Sequence, residues 1–578
     1  MITEHILQRI DTLAARYPKR ESALLPALDM VQRENNNQLF KEDARQVAAR
    51  LKVSKSKVQG VATYYTMLNK TRVGKYHLQV DTNVPGMLMG ADEILAHLEQ
   101  TLGIAVGETT ADGLFTLSQV QDLGACGTCP VIQVNDSYQE SMTIAKTDAL
   151  IAGLKKGEMP QSEPVNHVGG ERTVLLKHRL TPNSTALLTY RADEGYVALT
   201  KALKQTSAQV ADEVRRAVLR GRGGAGFSAG TKWGFLPKDD LRPVYLIANA
   251  DEGEPGTFKD RQIMEHDPHL LVEGMAIAAY AFGAKKAFIY IRGEFRWISL
   301  ILEKAIEEAK AAGLLPHVAI VVFVGAGSYV CGDETALIQS LEGGRGTPRL
   351  KPPFPASKGL YGCPTIVNNV ETLACLPFIL NQGAEAFRAM GSSTGYGPKI
   401  FGVSGHVNRP GVYEFPLGTP LTTILDAAGG VKGRLKGVIV GGLSAPILKP
   451  EEINDLKMDY DSCAAAGTVL GSAGIMVVND SVSIVTLALR TISFYAHESC
   501  GQCTPCRDGS VAIKCLIEKL LSGHGQAQDI DRIVALTHTI AGLTICPLGE
   551  AFSLPIRAMV TKFRDEFDAL LRPLRALT

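Results

Sequence analysis

The sequence predicts a multidomain α/β protein, and three observations carry that reading. Between Val244 and Val324, strand-like and helix-like stretches alternate, the pattern of a mainly parallel sheet covered by helices. Residues 1–70 and 484–578 show helical periodicity instead. Residues 399–440 hold a hairpin, a short helix and a further strand, the pattern of a small β-grasp module.

In chain order, Ile6, Ile10 and Leu13 give the first helical stripe, Leu24, Leu28 and Val31 the second, and Ala44, Val47 and Leu51 the third. Ser54 can cap a fourth helix carrying Val58, Val61 and Tyr65. His77–Val80, Phe115–Leu117 and Val131–Val134 read as short strands and Ala91–Leu102 as a helix, so a small α/β unit completes residues 1–160. Met159 to Glu171 is rich in Pro, Gly and polar residues, which predicts a linker over 161–174.

Residues 175–398 form the main α/β domain, with strands at Val244–Ala248, Ala287–Ile291 and Val318–Val324 and helices at Pro268–Ala281 and Phe295–Ala312. Loops 249–256, 292–294 and 325–334 leave the strand C-terminal ends, where open α/β sheets bind ligands, and their convergence predicts a cleft. In the β-grasp domain, 399–483, Lys399–Gly405 and Val412–Glu414 flank the turn Asn408–Gly411, followed by helix Thr422–Ala428 and strand Val438–Val440. Residues 484–578 are a helical domain interrupted by cysteines.

A 45% hydrophobic content, a 21% charged fraction and a net charge of +1 describe a globular chain and exclude a surface built to grip nucleic acid or anionic lipid. The longest charge-free run, Ala311 to Gly332, contains Pro316, His317 and four glycines and reads as a buried strand with loops, so no membrane insertion is expected. The N-terminus mixes both charges and resembles no signal peptide, which makes the cytoplasm the expected compartment. Five of the 11 cysteines fall in two tight clusters, a usage that points to metal or redox chemistry rather than a disulfide framework.

The segment Gly221-Arg-Gly-Gly-Ala-Gly-Phe-Ser-Ala-Gly-Thr-Lys-Trp233 lets backbone N–H groups approach a planar or anionic cofactor closely. Lys232 adds a cation, and Phe227 and Trp233 add flat apolar faces. Gly221, Gly223 and Gly226 satisfy G-x-G-x-x-G, but a helix with Val210, Val214 and Val218 precedes them where the dinucleotide fingerprint needs a strand. No Gly-Lys-Ser/Thr closes the loop, so it is not a Walker loop either; the bland alternative is a glycine-rich surface turn.

Cys500, Cys503 and Cys506 stand on one tight segment with two-residue gaps, and Cys546, followed by Pro547, offers a remote fourth thiolate. Zinc usually takes separated cysteine pairs, whereas this overlapping triplet with a distant Cys-Pro fits a 4Fe–4S cluster. Cys515, a helical distance beyond, reads as a core residue. A nucleotide loop plus one cluster implies electron transfer, and the missing middle is a group that accepts a hydride and releases single electrons, as a flavin does. Asn249, Asp251 and Glu254 offer hydrogen-bonding groups for a ribityl chain or ribose; the competing reading of such an acidic group is a solvated loop.

These motifs carry a specific resemblance. GRGGAGFSAGTKW, NADEGEPGTFKDR (249–261), GAGSYVCGDETAL (325–337), GCPTIVNNVETL (362–373) and ESCGQCTPCRDG (498–509) resemble, in order, those of the NADH-binding flavoprotein subunit of respiratory NADH:quinone oxidoreductase. The resemblance covers about 175–578 and implies FMN in the cleft, NADH stacked on it, and a 4Fe–4S cluster on Cys500, Cys503, Cys506 and Cys546. It implies FMN contacts at Arg222, Gly223, Gly224, Lys232, Asn249, Asp251, Tyr329, Asn368 and Asn369. It implies NAD(H) contacts at Phe227, Lys232, Phe235, Glu254, Glu334 and Phe354, with Lys232 and Glu254 where nicotinamide and flavin overlap. Asp333 stands where the family usually has Glu, so a direct contact there is expected to become water-mediated.

Residues 1–160 resemble the thioredoxin-like small subunit that accompanies that flavoprotein, here fused to it. Such a fusion resembles the diaphorase subunit of soluble NAD-reducing hydrogenases and the flavoprotein of NAD-dependent formate dehydrogenases. No DPCxxC pair or molybdopterin-type segment is present, so the second half-reaction belongs to partner chains, above all an iron–sulfur electron-transfer subunit and catalytic hydrogenase subunits. Formate dehydrogenase and quinone reductase stay open as alternatives, and a non-catalytic zinc scaffold is the distant one. In the small subunit, C-x4-C and C-x3-C cysteines hold a 2Fe–2S cluster; here those positions are Asp81, Gly86, Asp122 and Cys126, which predicts a cluster-free domain.

Overall fold

The computed structural model describes residues 2–160 and 165–571. At its centre four parallel strands lie in the order Ala319–Val324, Lys286–Ile291, Tyr245–Ala250, Thr365–Asn369. Their side chains alternate faces, as a period of two requires. Leu246, Ala248, Ala287, Ile289 and Ile366 pack on helices Pro268–Phe282 and Arg296–Ala311. Tyr245, Ile247, Phe288, Tyr290, Val321 and Phe323 pack instead on Ile10, Leu28, Val47 and Val61 of the four N-terminal helices. The helices of residues 4–64 thus cover one face of the main sheet, and the packing does not respect a boundary at residue 160.

The small α/β unit has a four-stranded sheet in the order Phe115–Val120, Tyr76–Asp81, Ile132–Val134, Ser137–Gln139, parallel at the first pairing and antiparallel after it. The β-grasp hairpin forms between Pro398–Gly405 and Gly411–Pro416 within a six-stranded sheet.

That sheet corrects the expected linker. His167–Gly170 is a strand pairing in parallel with Gly411–Glu414, and the Glu414 carboxylate accepts the N–H groups of Val174, Leu175 and Leu176 at 2.7–3.1 Å. The Pro- and Gly-rich composition hid an edge strand that satisfies the open side of the hairpin; residues 161–164 lie outside those described. A second correction concerns Val218. The helix before the glycine loop ends at Arg216, and Val218 sits at φ 53, more than a third exposed, rather than in the helical stripe with Val210 and Val214.

Helices Ile484–Glu498, Thr504–Leu521, Ala527–Ile540 and Leu548–Lys562 form the C-terminal bundle. Among the described residues no helix is long and apolar enough to cross a membrane.

Candidate functional site

Strand order in the central sheet reverses between Tyr245–Ala250 and Thr365–Asn369, because the second and third strands lie to one side of the first and the fourth to the other. Ligands of open α/β sheets bind at such a switch point, outside the strand C-terminal ends. Asn249 pairs in register with Asn369, and Ala248 with Asn368, so these asparagines stand at that crevice. Asn249 Nδ2 donates to the Gly332 carbonyl (2.8 Å), tying the first loop to the third. The convergence expected of the three loops is present.

The glycine loop closes over the crevice. A Cβ on Gly223 would lie 3.1 Å from Asn369 Cβ, and Gly224, at φ 142, faces open space. Lys232 Nζ lies 2.8 Å from Glu334 and 2.9 Å from the Val367 carbonyl oxygen. Phe227 and Phe235 are at least half exposed, with ring centroids 5.9 Å apart. Trp233 departs from expectation: it is buried, donates Nε1–H to Asn368 Oδ1 (2.9 Å) and packs edge-on against Phe282. The Arg222 guanidinium is fully buried and donates to the Tyr396 carbonyl (2.7 Å), with Nε and Nη1 left without a partner, while the Arg222 backbone N–H donates to Thr372 Oγ1 (2.8 Å). Phe354 is exposed just before the short helix Pro355–Lys358.

Glu254 is held from two sides. The Tyr329 hydroxyl donates to one carboxylate oxygen (2.5 Å) and the Ser444 N–H to the other (2.7 Å). A Cβ on Gly442 would stand 2.5 Å from Glu254 Cγ, so only glycine fits there. Burial raises the Glu254 carboxyl above its ordinary range, and it raises that of Asp251 well above, whose Oδ2 is buried without a hydrogen-bond partner. An orphaned carboxyl oxygen beside a crevice fits a bound polar ligand.

Asp333 explains its departure from Glu. It caps helix Glu334–Leu341, accepting from Thr335 N (2.8 Å) and Ala336 N (3.2 Å). A cap needs the shorter side chain. Lys351, which sequence reasoning missed, faces both Asp333 (3.5 Å) and Glu334 (3.4 Å).

Beneath the crevice lies a buried charge cluster, also missed. Lys259 contacts Asp260 (2.7 Å) and Glu371 (2.9 Å), Glu371 contacts Lys399 (2.6 Å), and Asn369 Nδ2 donates to Asp260 (2.6 Å). Burial lowers the Lys399 ammonium to about 8 despite Glu371, while Asp260 and Glu371 overcome burial to hold Lys259 protonated. Lys259 and Asp260 stand in the 249–261 motif, so the signal was present.

In the C-terminal bundle, Cys500 and Cys503 lie in the turn between the first two helices, Cys506 in the first turn of the second, and Cys546 just before the last. All four line one small cavity. They ring it rather than meeting at one point: among the described residues no three His, Cys, Asp or Glu groups are placed to hold a single ion. Burial pushes the Cys506 thiol up to about 11 and Cys546 up to about 12, so a metal centre here must displace protons. Cys515 is exposed, contrary to expectation; the buried stripe of its helix is Cys506, Gly509, Ser510, Ile513, Ile517 and Leu520.

Family comparisons follow this layout. Residues 214–377 match the Nuo51 FMN-binding domain, 486–570 the NADH-ubiquinone oxidoreductase-F iron-sulfur binding region, 400–446 the SLBB domain and 10–155 the thioredoxin-like [2Fe-2S] ferredoxin. The second F-type NADH-quinone oxidoreductase subunit of Rhizobium meliloti (strain 1021) is 48% identical over 408 residues, 97% of its length and 68% of this chain. The chain belongs to the family of F-type NADH-quinone oxidoreductase subunits. The member from Mycobacterium bovis (strain ATCC BAA-935 / AF2122/97) is 46% identical over 413 residues, 93% of its length and 68% of this chain. Crystal structures of NAD+-reducing [NiFe]-hydrogenase, air-oxidized and H2-reduced, hold a chain that superposes with TM-scores of 0.85 and 0.86 at 31% and 32% identity, covering 96% of this chain and 94% of that one. Membership makes the protein an oxidoreductase of the NADH-dehydrogenase type that uses FMN, a 4Fe–4S cluster and NAD(H).

Of the groups these family models imply, the 2Fe–2S cluster does not fit. Asp81, Gly86, Asp122 and Cys126 do come together, but the side chain of Asn83 sits among them, donating to Asp81 (3.2 Å), Asp122 (2.7 Å) and Cys126 Sγ (3.4 Å). A Cβ on Gly86 would stand 2.6 Å from the Asp81 carbonyl oxygen, which closes that corner to any side-chain ligand.

Proposed function

We propose that this chain is the NAD(H)-facing diaphorase subunit of a soluble NAD-reducing hydrogenase. The observation that carries this reading is coverage: the F-type relatives account for 68% of the chain, whereas the hydrogenase chain accounts for 96%, including the fused thioredoxin-like front. The second reading, the flavoprotein of an NADH-quinone oxidoreductase, has the higher identity, 48%, but leaves that front unmatched.

Bound here, FMN would supply a two-electron acceptor for the nicotinamide hydride and a one-electron donor to the cluster. Asn249, Asn368, Asn369 and the open backbone of Gly223 and Gly224 would hold the flavin at the switch point, with Asp251 Oδ2 open to a hydrogen-bond partner. Phe227 and Phe235 would flank a flat ring of the dinucleotide, and Glu334 would meet its polar groups. Lys232 and Glu254 would fix the overlap of nicotinamide and flavin; the hydride step needs orientation, not a general acid. Cys500, Cys503, Cys506 and Cys546 would hold the 4Fe–4S cluster.

This reading puts the chain in the cytoplasm, where eleven unpaired thiols suit a reducing compartment, with an iron–sulfur subunit and catalytic hydrogenase subunits as partners. Tagged chain purified with its partners should reduce NAD+ with hydrogen. Reduction with formate instead, or NADH:quinone activity without hydrogen turnover, would overturn the assignment.

A further inference from the structure

The place where the thioredoxin-like fold would hold a cluster touches the loop that carries Glu254. Cys126 Sγ accepts the N–H of Gly256 (3.3 Å), two residues beyond Glu254. Two residues before it, the Glu252 carbonyl accepts from Arg292 Nη1 (2.6 Å), and Arg292 is held by the Asp122 carboxylate (2.7 Å) and the Asp122 carbonyl (2.7 Å). The loop is therefore pinned on both sides of Glu254 by groups that belong to, or are gripped by, the cluster-free site.

That site is rigid in its own right. Asn83 Oδ1 accepts from Gly86 N (2.7 Å), capping helix Val84–Leu88, while Nδ2 is shared among Asp81, Asp122 and Cys126. The Cys126 thiol in turn points at Asp122 Oδ1 (3.8 Å). Asp81 accepts the N–H groups of Asn83 and Leu123, both at 3.0 Å. Asp81, Asn83, Asp122, Cys126 and Arg292 are all less than a tenth exposed. The contact is intimate, since a Cβ on Gly127 would stand 2.5 Å from the ring of Phe258, just past the pinned loop. A buried network of this kind, fully satisfied, fixes one conformation; deprived of one acceptor it leaves a buried N–H unpaired.

We propose that the former cluster position serves as a positioning device: Asn83, Asp122 and Cys126, through Gly256 and Arg292, hold Glu254 in register with the nicotinamide site. The proposal rests on the reading of Glu254 given above. Cys126 and its neighbours touch no reacting atom; they act through the loop.

The test uses the full chain loaded with FMN and cluster, comparing Cys126→Ala, Asn83→Ala and Cys126→Ser with a packing control, Leu78→Ala, in the same sheet core. Amide exchange at Gly256 should speed up about tenfold in Cys126→Ala, from loss of its thiol acceptor. The rate of NADH-driven flavin reduction, read by rapid mixing, should fall about fivefold while the KM for NADH stays within about twofold. Asn83→Ala should move both readouts in the same direction and carries the test if Cys126→Ala does not fold. Cys126→Ser should return both to within about twofold of the parent, and Leu78→Ala should lower the melting temperature without moving either. Unchanged Gly256 exchange and flavin-reduction rate in a folded Cys126→Ala or Asn83→Ala overturns the proposal. Altered exchange in a chain whose parent form does not oxidise NADH would leave the positioning intact and sink the functional reading instead.

Discussion

Lys232 and Glu334 form a 2.8 Å ion pair across the cleft although 102 residues separate them in the chain. The same ammonium donates to the Val367 carbonyl at 2.9 Å, so one side chain joins the glycine loop, the switch-point strand and the helix after the third strand. Both partners are a fifth to a quarter exposed, and a pair so open to solvent adds only about 0–1 kcal/mol. Its value lies in placement.

Lys232→Ala should therefore leave stability within about 1 kcal/mol of the parent while slowing NADH-driven flavin reduction about tenfold or more. Glu254→Gln should slow the same step by mispositioning the stack. Rapid mixing of each FMN-loaded variant with NADH reads the rate directly; parent rates in both would remove these residues from the nicotinamide site.

The buried carboxylate Glu371 sets an acid limit on stability. Burial alone would raise its carboxyl, but the ammonium groups of Lys259 and Lys399 outweigh burial and bring it down to about 2. A depressed carboxylate contributes stability above its unfolded value near 4.5 and loses it as pH falls toward 2, because the unfolded chain takes up the proton first. The gap in unfolding free energy between parent and Glu371→Gln should be widest above pH 5 and shrink by about 3 kcal/mol toward pH 2. Denaturation series at several pH values check it; a gap independent of pH would contradict the charge cluster.

Much of this was legible in the sequence, for local reasons. The central strands are apolar runs between helical stripes, and their loops carry long motifs, so the crevice and most of its residues could be named. What escaped depends on distant partners. The edge strand His167–Gly170 reads as a linker because its pairing lies more than 240 residues away. The N-terminal stripes do not reveal that they cover Tyr245, Phe288 and Phe323. Trp233 carries no local sign of which way its side chain faces, whereas the stripe Ile513, Ile517 and Leu520 leaves Cys515 on the outer side of its helix. Lys259 and Lys399 look like surface residues until Glu371 is placed between them.

Cys503→Ser should separate the two redox centres. Cluster content should fall while NADH still reduces FMN, and transfer to the partner chains should fail for want of a one-electron outlet. Undiminished electron flow to the partners from a cluster-free variant would exclude this route.

The thioredoxin-like domain should carry no iron. With Asn83 among Asp81, Asp122 and Cys126, the purified chain should hold one FMN and about four irons, all on Cys500, Cys503, Cys506 and Cys546. Iron counting with low-temperature EPR checks this; about six irons and a 2Fe–2S signal on reduction would contradict it.

The most direct test is anaerobic addition of NADH to the FMN-loaded chain without partner subunits, followed by visible absorbance. The switch-point cleft, with Lys232 and Glu254 in place, predicts that the blue flavin bands bleach on about one equivalent of NADH. Flavin that stays oxidised under excess NADH would contradict the account.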